Sequence, residues 1–414
     1  MIAIPDGFDR RLDPNGAGPI AVAYSGGGDS LMALKLAKAW ADRHDRRIIA
    51  LTVDHGLQTS SARWTEAARQ TAHALGVGFQ ALAWTGEKPN TGLAAAARTA
   101  RHALIAAAAR DRGARVVVFG HTADDLIEAE LMRSAGLRLG APREWAPSPV
   151  WPEGRGVFLL RPLLGLRRAA IREALHAWGE TWIDDPANDN PASPRARARP
   201  RAGRLAAREP RDETNPATTA LARAAVIDQA GAIRLSREAL REAPRTSVLR
   251  VLGAALTCAG GRAGPPRRRA LERLVLRLLT SELFVATLSG TKVQAGGEVL
   301  IARDAGEFRR RRPPVLEIEP GCAEVWDGRF EIAAGSEPIG VAPLAGHMKS
   351  LPRDDMAGLK RFDPAARGGL PWIVTTGGRT SCPILASVPD AGAKSLVGER
   401  FFSACGVYSR EPAT

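Results

Sequence analysis

The chain has little cysteine: of 414 residues only Cys258, Cys322, Cys382 and Cys405 carry thiols, and no two form a Cys-x-x-Cys pair. Zinc knuckles and iron–sulfur sites need closely spaced thiolates, so neither is signalled, and the usage fits a reducing cytosol. No stretch offers about 18 consecutive apolar residues for a membrane span. The first residues, MIAIPDGFDRR, carry proline and acidic groups where a signal peptide needs an apolar run. A soluble, cytoplasmic protein without membrane association is expected. A repeat of fixed period is also missing, and so is any lysine in the glycine-rich turn of IAVAYSGGGDSLMALKLAKAW, residues 20–40.

That last absence narrows the chemistry. A Walker A loop requires Gly-x4-Gly-Lys-Ser/Thr, and a dinucleotide fingerprint requires a third glycine; neither pattern is present. What stands there is Ser25, Gly26, Gly27, Gly28, Asp29 and Ser30. Glycines let backbone N–H groups approach an anion, and the helix that follows points its positive dipole end at it. Two hydroxyls and a run of N–H donors suit a pyrophosphate group, with Asp29 placed to hold Mg2+. A plain strand-to-helix turn is the alternative for such a loop taken alone.

Hydrophobic residues make up 45% of the chain, enough for real cores, and the length argues for two or three domains. The 58 Lys and Arg outnumber the 44 Asp and Glu, for a net charge of +14. A surplus dominated by arginine implies a polyanionic partner, although a high-GC genome also spells surface cations as arginine.

From residue 20 to about 185, short apolar runs alternate with amphipathic segments: strands at 20–24, 47–55, 78–84 and 114–121, and helices to Trp40, at 61–75, 92–112 and 123–134. This rhythm predicts an α/β fold with a doubly wound parallel sheet, whose ligands bind at the carboxyl ends of the strands. The polar groups expected at those ends are the SGGGDS turn, Asp54 with His55, Trp84 with Thr85, and His121 with the acidic residues behind it. Residues 186–217 are rich in Pro, Ala and Arg and read as an exposed arm. Residues 218–282 show helical spacing, and alternating segments beyond them suggest a small β-containing C-terminal module. The expected domains are 1–215, catalytic with a basic arm; 216–312, mainly helical; and 313–414, the β-containing module.

Thr122 with Asp125 three residues on predicts a capping-box start to a helix that carries Asp125 and Glu128 on one face. Two carboxylates at the sheet edge can grip a cationic amine, and His121 can contact phosphate or a reacting hydroxyl. Asp124 and Asp125 also simply favour a helix N-terminus.

SGGGDS resembles the pyrophosphate loop SGGxDS of the N-type ATP pyrophosphatases. VDHGLQ at 53–58, GHTADDLIEAELMR at 120–133, and LLRPLLGLRRAAIREAL followed by WIDDPANDN at 159–190 are similar to tRNA(Ile)-lysidine synthetases within that superfamily. The resemblance covers roughly the first 200 residues, with weaker similarity in LSGTKVQAGGEVLIARD and VWDGRF. It implies an adenine nucleotide alpha hydrolase-like fold with a helical middle domain, and a cytoplasmic ligase that uses ATP and Mg2+ to join free L-lysine to the wobble cytidine of tRNA(Ile) with a CAU anticodon. Asp125 and Glu128 would hold the lysine amine; Asp54 would join Ser25–Ser30 in nucleotide binding. The Ala-rich helix resembles the LEAAAR-x-x-RY block, so Arg98 and Arg101 would stabilise charge on ATP phosphates. Ala94 replaces an acidic residue there, and His102 a tyrosine. Asp185, Pro186, Asn188, Arg195, Arg197 and Arg199 match the DPSN segment and its arginines, whereas Asn190 replaces an aspartate and Ser193 an aromatic. Those arginines, with the run at 267–269, would contact tRNA phosphates, and a homodimer is possible for the assembly. Two alternatives stay open: another tRNA-modifying enzyme with the same loop, such as a thiolase, and a catalytically inactive RNA-binding relative.

Overall fold

The structure, a computed structural model, describes residues 2–57, 61–137, 140, 142–185, 193–206, 215–385 and 391–412. Gln58, Pro186, Asn188 and Asn190 lie outside them. The chain forms two compact units, one of residues 1–213 with 408–414 and one of 214–407.

In the first unit, helix α1 (Gly7–Arg11) precedes an alternation of strands and helices: β1 (Ile20–Ala23), α2 (Gly28–Arg43), β2 (Ile48–Asp54), α3 (Ser61–Ala74), β3 (Gly78–Ala83), α4 (Leu93–Asp111), β4 (Val116–Phe119) and α5 (Ala123–Ser134). Then come β5 (Trp145–Pro147), β6 (Phe158–Leu160), α6 (Arg168–Ala177) and α7 (Pro194–Ala202). The sheet order is β3-β2-β1-β4-β6-β5. All neighbours are parallel except β5, which lies antiparallel to β6. Parallel strands covered on both faces read as nearly continuous apolar runs, and that is why β1, β2 and β4 were legible, whereas β3 is a half-exposed edge strand.

Each strand supplies both faces by alternation. Ile20, Val22, Ile48, Ala50, Val116, Val118 and Leu160 join residues of α2, α3 and α6 in one core. Ala21, Ile49, Leu51, Val117, Phe119 and Leu159 pack with Ile105, Ala108 and Ala109 of α4 in the other. The first loop, at the carboxyl end of β1, therefore sits mid-sheet between β2 and β4, where strand order reverses.

The expected exposed arm is partly helix. Pro at N1 fixes a helical φ for α7, and Ala198 and Ala202 are buried. Its composition hid it because it buries small residues and ion pairs rather than large apolar side chains.

In the second unit, helices α8 (Pro216–Arg223), α9 (Arg237–Glu242), α10 (Arg245–Ala259) and α11 (Arg268–Thr280) accompany a five-stranded sheet, so the middle segment is not helical throughout. Its strands are β7 (Val226–Ile227), β8 (Ile233–Ser236), β9 (Phe284–Leu288), β10 (Thr291–Ala295) and β11 (Glu298–Arg303), in the order β7-β8-β11-β10-β9. The two strands inside the helical stretch are only 2 and 4 residues long, too short for alternation to show. A four-stranded and a three-stranded antiparallel sheet follow within residues 316–395. Among the described residues no helix is long and apolar enough to cross a membrane.

Candidate active site

The loop after β1 is braced by hydrogen bonds among its own residues. Ser25 N–H donates to Ser30 Oγ (3.2 Å), the two hydroxyl oxygens lie 3.2 Å apart, and Ser30 Oγ donates to the Gly27 carbonyl (2.8 Å). Gly26 has φ +82°, and a Cβ there would stand 2.5 Å from Ile183 Cδ1. Ile183 N–H donates to the Gly26 carbonyl (3.0 Å), and Trp182 packs against Gly28. The WID stretch is thus a backing for the loop, a role its sequence did not announce. Gly27 caps α2 in an extended conformation, and the first-turn N–H groups of that helix have no intrahelical partners.

Gly120, between β4 and His121, is a second requirement that went unnoticed. A Cβ at this position would meet the Asp29 carbonyl oxygen at 2.5 Å. Only glycine lets the first turn of α2 lie directly against the end of β4, which brings Asp29 next to α5.

The α5 capping box forms as expected: Thr122 N–H donates to Asp125 Oδ2 at 2.7 Å, and the reciprocal bond is present. The same turn sets Asp125 and Glu128, both buried, towards the sheet edge. Arg168, at the start of α6, stands among three carboxylates: Nε is 2.9 Å from Asp29 Oδ2, Nη1 3.2 Å from Glu128 Oε1, and Nη2 3.7 Å from Asp125 Oδ2. Its backbone N–H donates to Asp124 Oδ2 at 2.7 Å. Asp124 thereby anchors α6 and also pairs with Arg167 at 3.0 Å. From α7, Arg195 bridges Asp125 Oδ1 and Glu128 Oε2 at 2.8 Å each, and Arg199 Nε lies 3.6 Å from Glu128. The helix changes the expected alternation: Arg195 and Arg199, four residues apart, share the face towards Glu128, and Arg197 is exposed. Arg168 was missed because its role appears only when α6 folds back 40 residues beyond Glu128.

Burial pushes the Asp29 carboxyl up, against the pull of Arg168. Burial also pushes Asp125 up, but the charges of Arg195 and Arg168 and the Thr122 N–H hold it below the ordinary range. It stays an anion. Burial keeps His121 well below its ordinary value and therefore neutral.

Arg98 and Arg101 sit on α4, as expected, and His102 of the same helix packs against Phe119, with ring centroids 5.3 Å apart and ring planes tilted by 33°. At the neighbouring strand ends, Asp54 accepts from the Gly56 N–H (2.7 Å), His55 meets the Trp84 ring edge-on (6.0 Å), and Lys88 Nζ stands 5.5 Å over that ring. The four strand ends named from the sequence therefore line one edge of one sheet. No cluster of three metal-ligating side chains occurs among the described residues. A Mg2+ ion would find Asp29 as its protein carboxylate and take its other ligands from phosphates and water, the usual pattern for this ion.

The family model of the PP-loop domain matches residues 5–204, the span that carries this edge. Over 413 residues, 98% of each chain, the sequence is 48% identical to a tRNA(Ile)-lysidine synthase of Caulobacter vibrioides. The chain belongs to the tRNA(Ile)-lysidine synthase family. Two further members are a Hyphomonas neptunium protein, 38% identical over 69% of this chain and 80% of its own, and one from Rhizobium meliloti, 34% identical over 90% and 83%. The similarity to these lysidine synthases extends into the second unit, beyond the PP-loop domain itself.

Proposed function

We propose that the protein joins the ε-amine of L-lysine to C2 of the wobble cytidine in tRNA(Ile) with a CAU anticodon, converting ATP to AMP and pyrophosphate. The observation that carries this reading is the meeting, at one sheet edge, of a lysine-free serine and glycine cradle with two buried carboxylates on one helix face. The cradle suits a leaving pyrophosphate: Ser25, the loop N–H groups and the α2 N-terminus stabilise the charge that develops on it. The 2-carbonyl oxygen of cytidine attacks the α-phosphorus, and the bond to pyrophosphate breaks. The lysine amine then attacks C2, and AMP departs with the oxygen.

Asp125 and Glu128 suit the amine. Two guanidinium groups, of Arg168 and Arg195, stand on them, and these ion pairs support the reading of a site that takes cations. Free lysine enters as an ammonium with a pKa near 10.4, and only the neutral amine is nucleophilic. A carboxylate in contact takes the proton as C–N bond formation proceeds. Bound Mg2+, held by Asp29, would offset phosphate charge. The +14 net charge suits tRNA, and a cytoplasmic setting goes with all three substrates.

Thiolases commonly need catalytic or cluster-binding cysteines, whereas no cysteine here sits in the sequence beside the loop motifs, and burial pushes Cys258, Cys382 and Cys405 up to about 12. Incubation with ATP, Mg2+, radiolabelled lysine and a CAU-anticodon isoleucine tRNA tests the reading. Label in the RNA is expected; ATP turnover with no labelled RNA would reject lysine as the acceptor.

A further inference from the structure

Arg161 lies just past the end of β6 and is 7% exposed, yet no carboxylate pairs with it among the described residues. Nη1 donates to the Arg143 carbonyl (2.8 Å), and Nε is sealed from solvent without a partner. The guanidinium stands 5.9 Å over the Phe119 ring, which His102 and His121 flank at centroid distances of 5.3 and 5.8 Å. Around this one ring, His102 Nε2 and His121 Nδ1 are sealed and unpartnered too, as is Nε of Arg101 on the same helix as His102. Four orphaned polar atoms, two of them on guanidinium groups, make a costly arrangement, because a buried cation needs a counter-charge. Crowding of like charge follows from it: burial and Arg98 bring both Arg101 and Arg161 down to about 10, and both remain cations at neutral pH.

We infer that Arg161, with Arg101, forms an anion-binding pocket over Phe119 that receives a phosphate oxygen of a substrate. A planar fork with free N–H donors matches a phosphate, and the missing counter-charge is the ligand's own. The pocket is next to the carboxyl end of β4, on the side of β1 opposite to Asp54. Identifying the phosphate as one of the RNA or one of ATP rests on the proposed function; the need for an anion does not.

Arg161→Gln and Arg161→Lys test the inference through equilibrium affinities that require no turnover. Thermal unfolding is read first: removing an unpaired buried cation leaves the melting temperature of R161Q unchanged or higher, whereas a merely structural arginine would lower it. The dissociation constants for tRNA, over a series of salt concentrations, and for ATP with Mg2+ are then measured. An RNA phosphate is indicated if tRNA binding weakens roughly tenfold or more and its salt slope falls by about 1 with ATP affinity unchanged. An ATP phosphate is indicated if ATP binding weakens by a similar factor and tRNA binding does not. R161K, which keeps the charge and loses the fork, shifts in the same direction by less and serves if R161Q does not fold. Unchanged affinity for both ligands in a folded variant overturns the inference. Failure of the wild-type protein to transfer lysine would sink the proposed function and leave these affinities to report on Arg161.

Discussion

Asp125 and Glu128 stand together against the guanidinium groups of Arg168 and Arg195, and each is fixed by contacts a single substitution removes. Asp125→Asn keeps the shape and the capping geometry but removes the charge. We predict that the KM for lysine rises roughly tenfold or more, the cost of a lost charge-assisted bond, with ATP affinity nearly unchanged. His102 makes a separate prediction. Burial, then Arg101 and Arg98, bring its pKa down to about 3 from 6.5, so the unfolded chain binds a proton between these values that the folded protein refuses. Stability supported by the neutral ring is therefore lost as pH falls below 6.5. Between pH 7 and 5 one such group costs about 2 kcal/mol. Urea unfolding at the two pH values should show that loss in the wild type, with a loss smaller by this amount in His102→Phe. The Asp125 and Glu128 pair was legible in the sequence because a capping box and an i, i+3 spacing declare themselves locally. Arg168 and Arg161 were not, since each matters only after two connections return it to the same edge.

The loop between β1 and α2 depends on neighbours far along the chain. Gly120→Ala sets a methyl group 2.5 Å from the Asp29 carbonyl oxygen, backbone against backbone, so the start of α2 must shift. A cost of about 1–3 kcal/mol in stability is expected, together with a loss of ATP binding larger than that fall in stability explains. Calorimetric titration with ATP and Mg2+ beside thermal unfolding separates the two effects. The places of β1, β2 and β4 were readable because strands buried on both faces are uninterrupted apolar runs. Helix α7 was not, for its partners are carboxylates and its buried residues are alanines. The strands β7 and β8 escaped because segments of 2 and 4 residues carry no measurable period.

Across the whole chain, the first unit is completed by its last residues, so the second unit is an insertion with both ends tied to the first. Glu411 pairs with Arg46 at 3.0 Å, both nearly solvent-free, and accepts from the Asp13 N–H at 2.9 Å. Trp145 Nε1 donates to the Tyr408 carbonyl (2.9 Å) and Arg11 to that of Ser409 (2.8 Å). Glu411→Gln leaves the Arg46 guanidinium buried without its counter-charge, which costs about 3 kcal/mol. Unfolding of the first unit should fall by roughly 6–12 °C in a calorimetric scan. The sequence pattern set the C-terminal residues in a separate β-containing module, and a closing segment of this kind has no local signature.

The claim on which the account turns is that the SGGGDS cradle holds a departing pyrophosphate. The most direct measurement is the fate of ATP labelled at the α-phosphate, incubated with Mg2+, lysine and CAU-anticodon isoleucine tRNA, for the wild type and Asp29→Ala. The account predicts labelled AMP in amounts equal to the lysine joined to RNA, and almost none with the variant. Labelled ADP as the product, or undiminished AMP from Asp29→Ala, would contradict it.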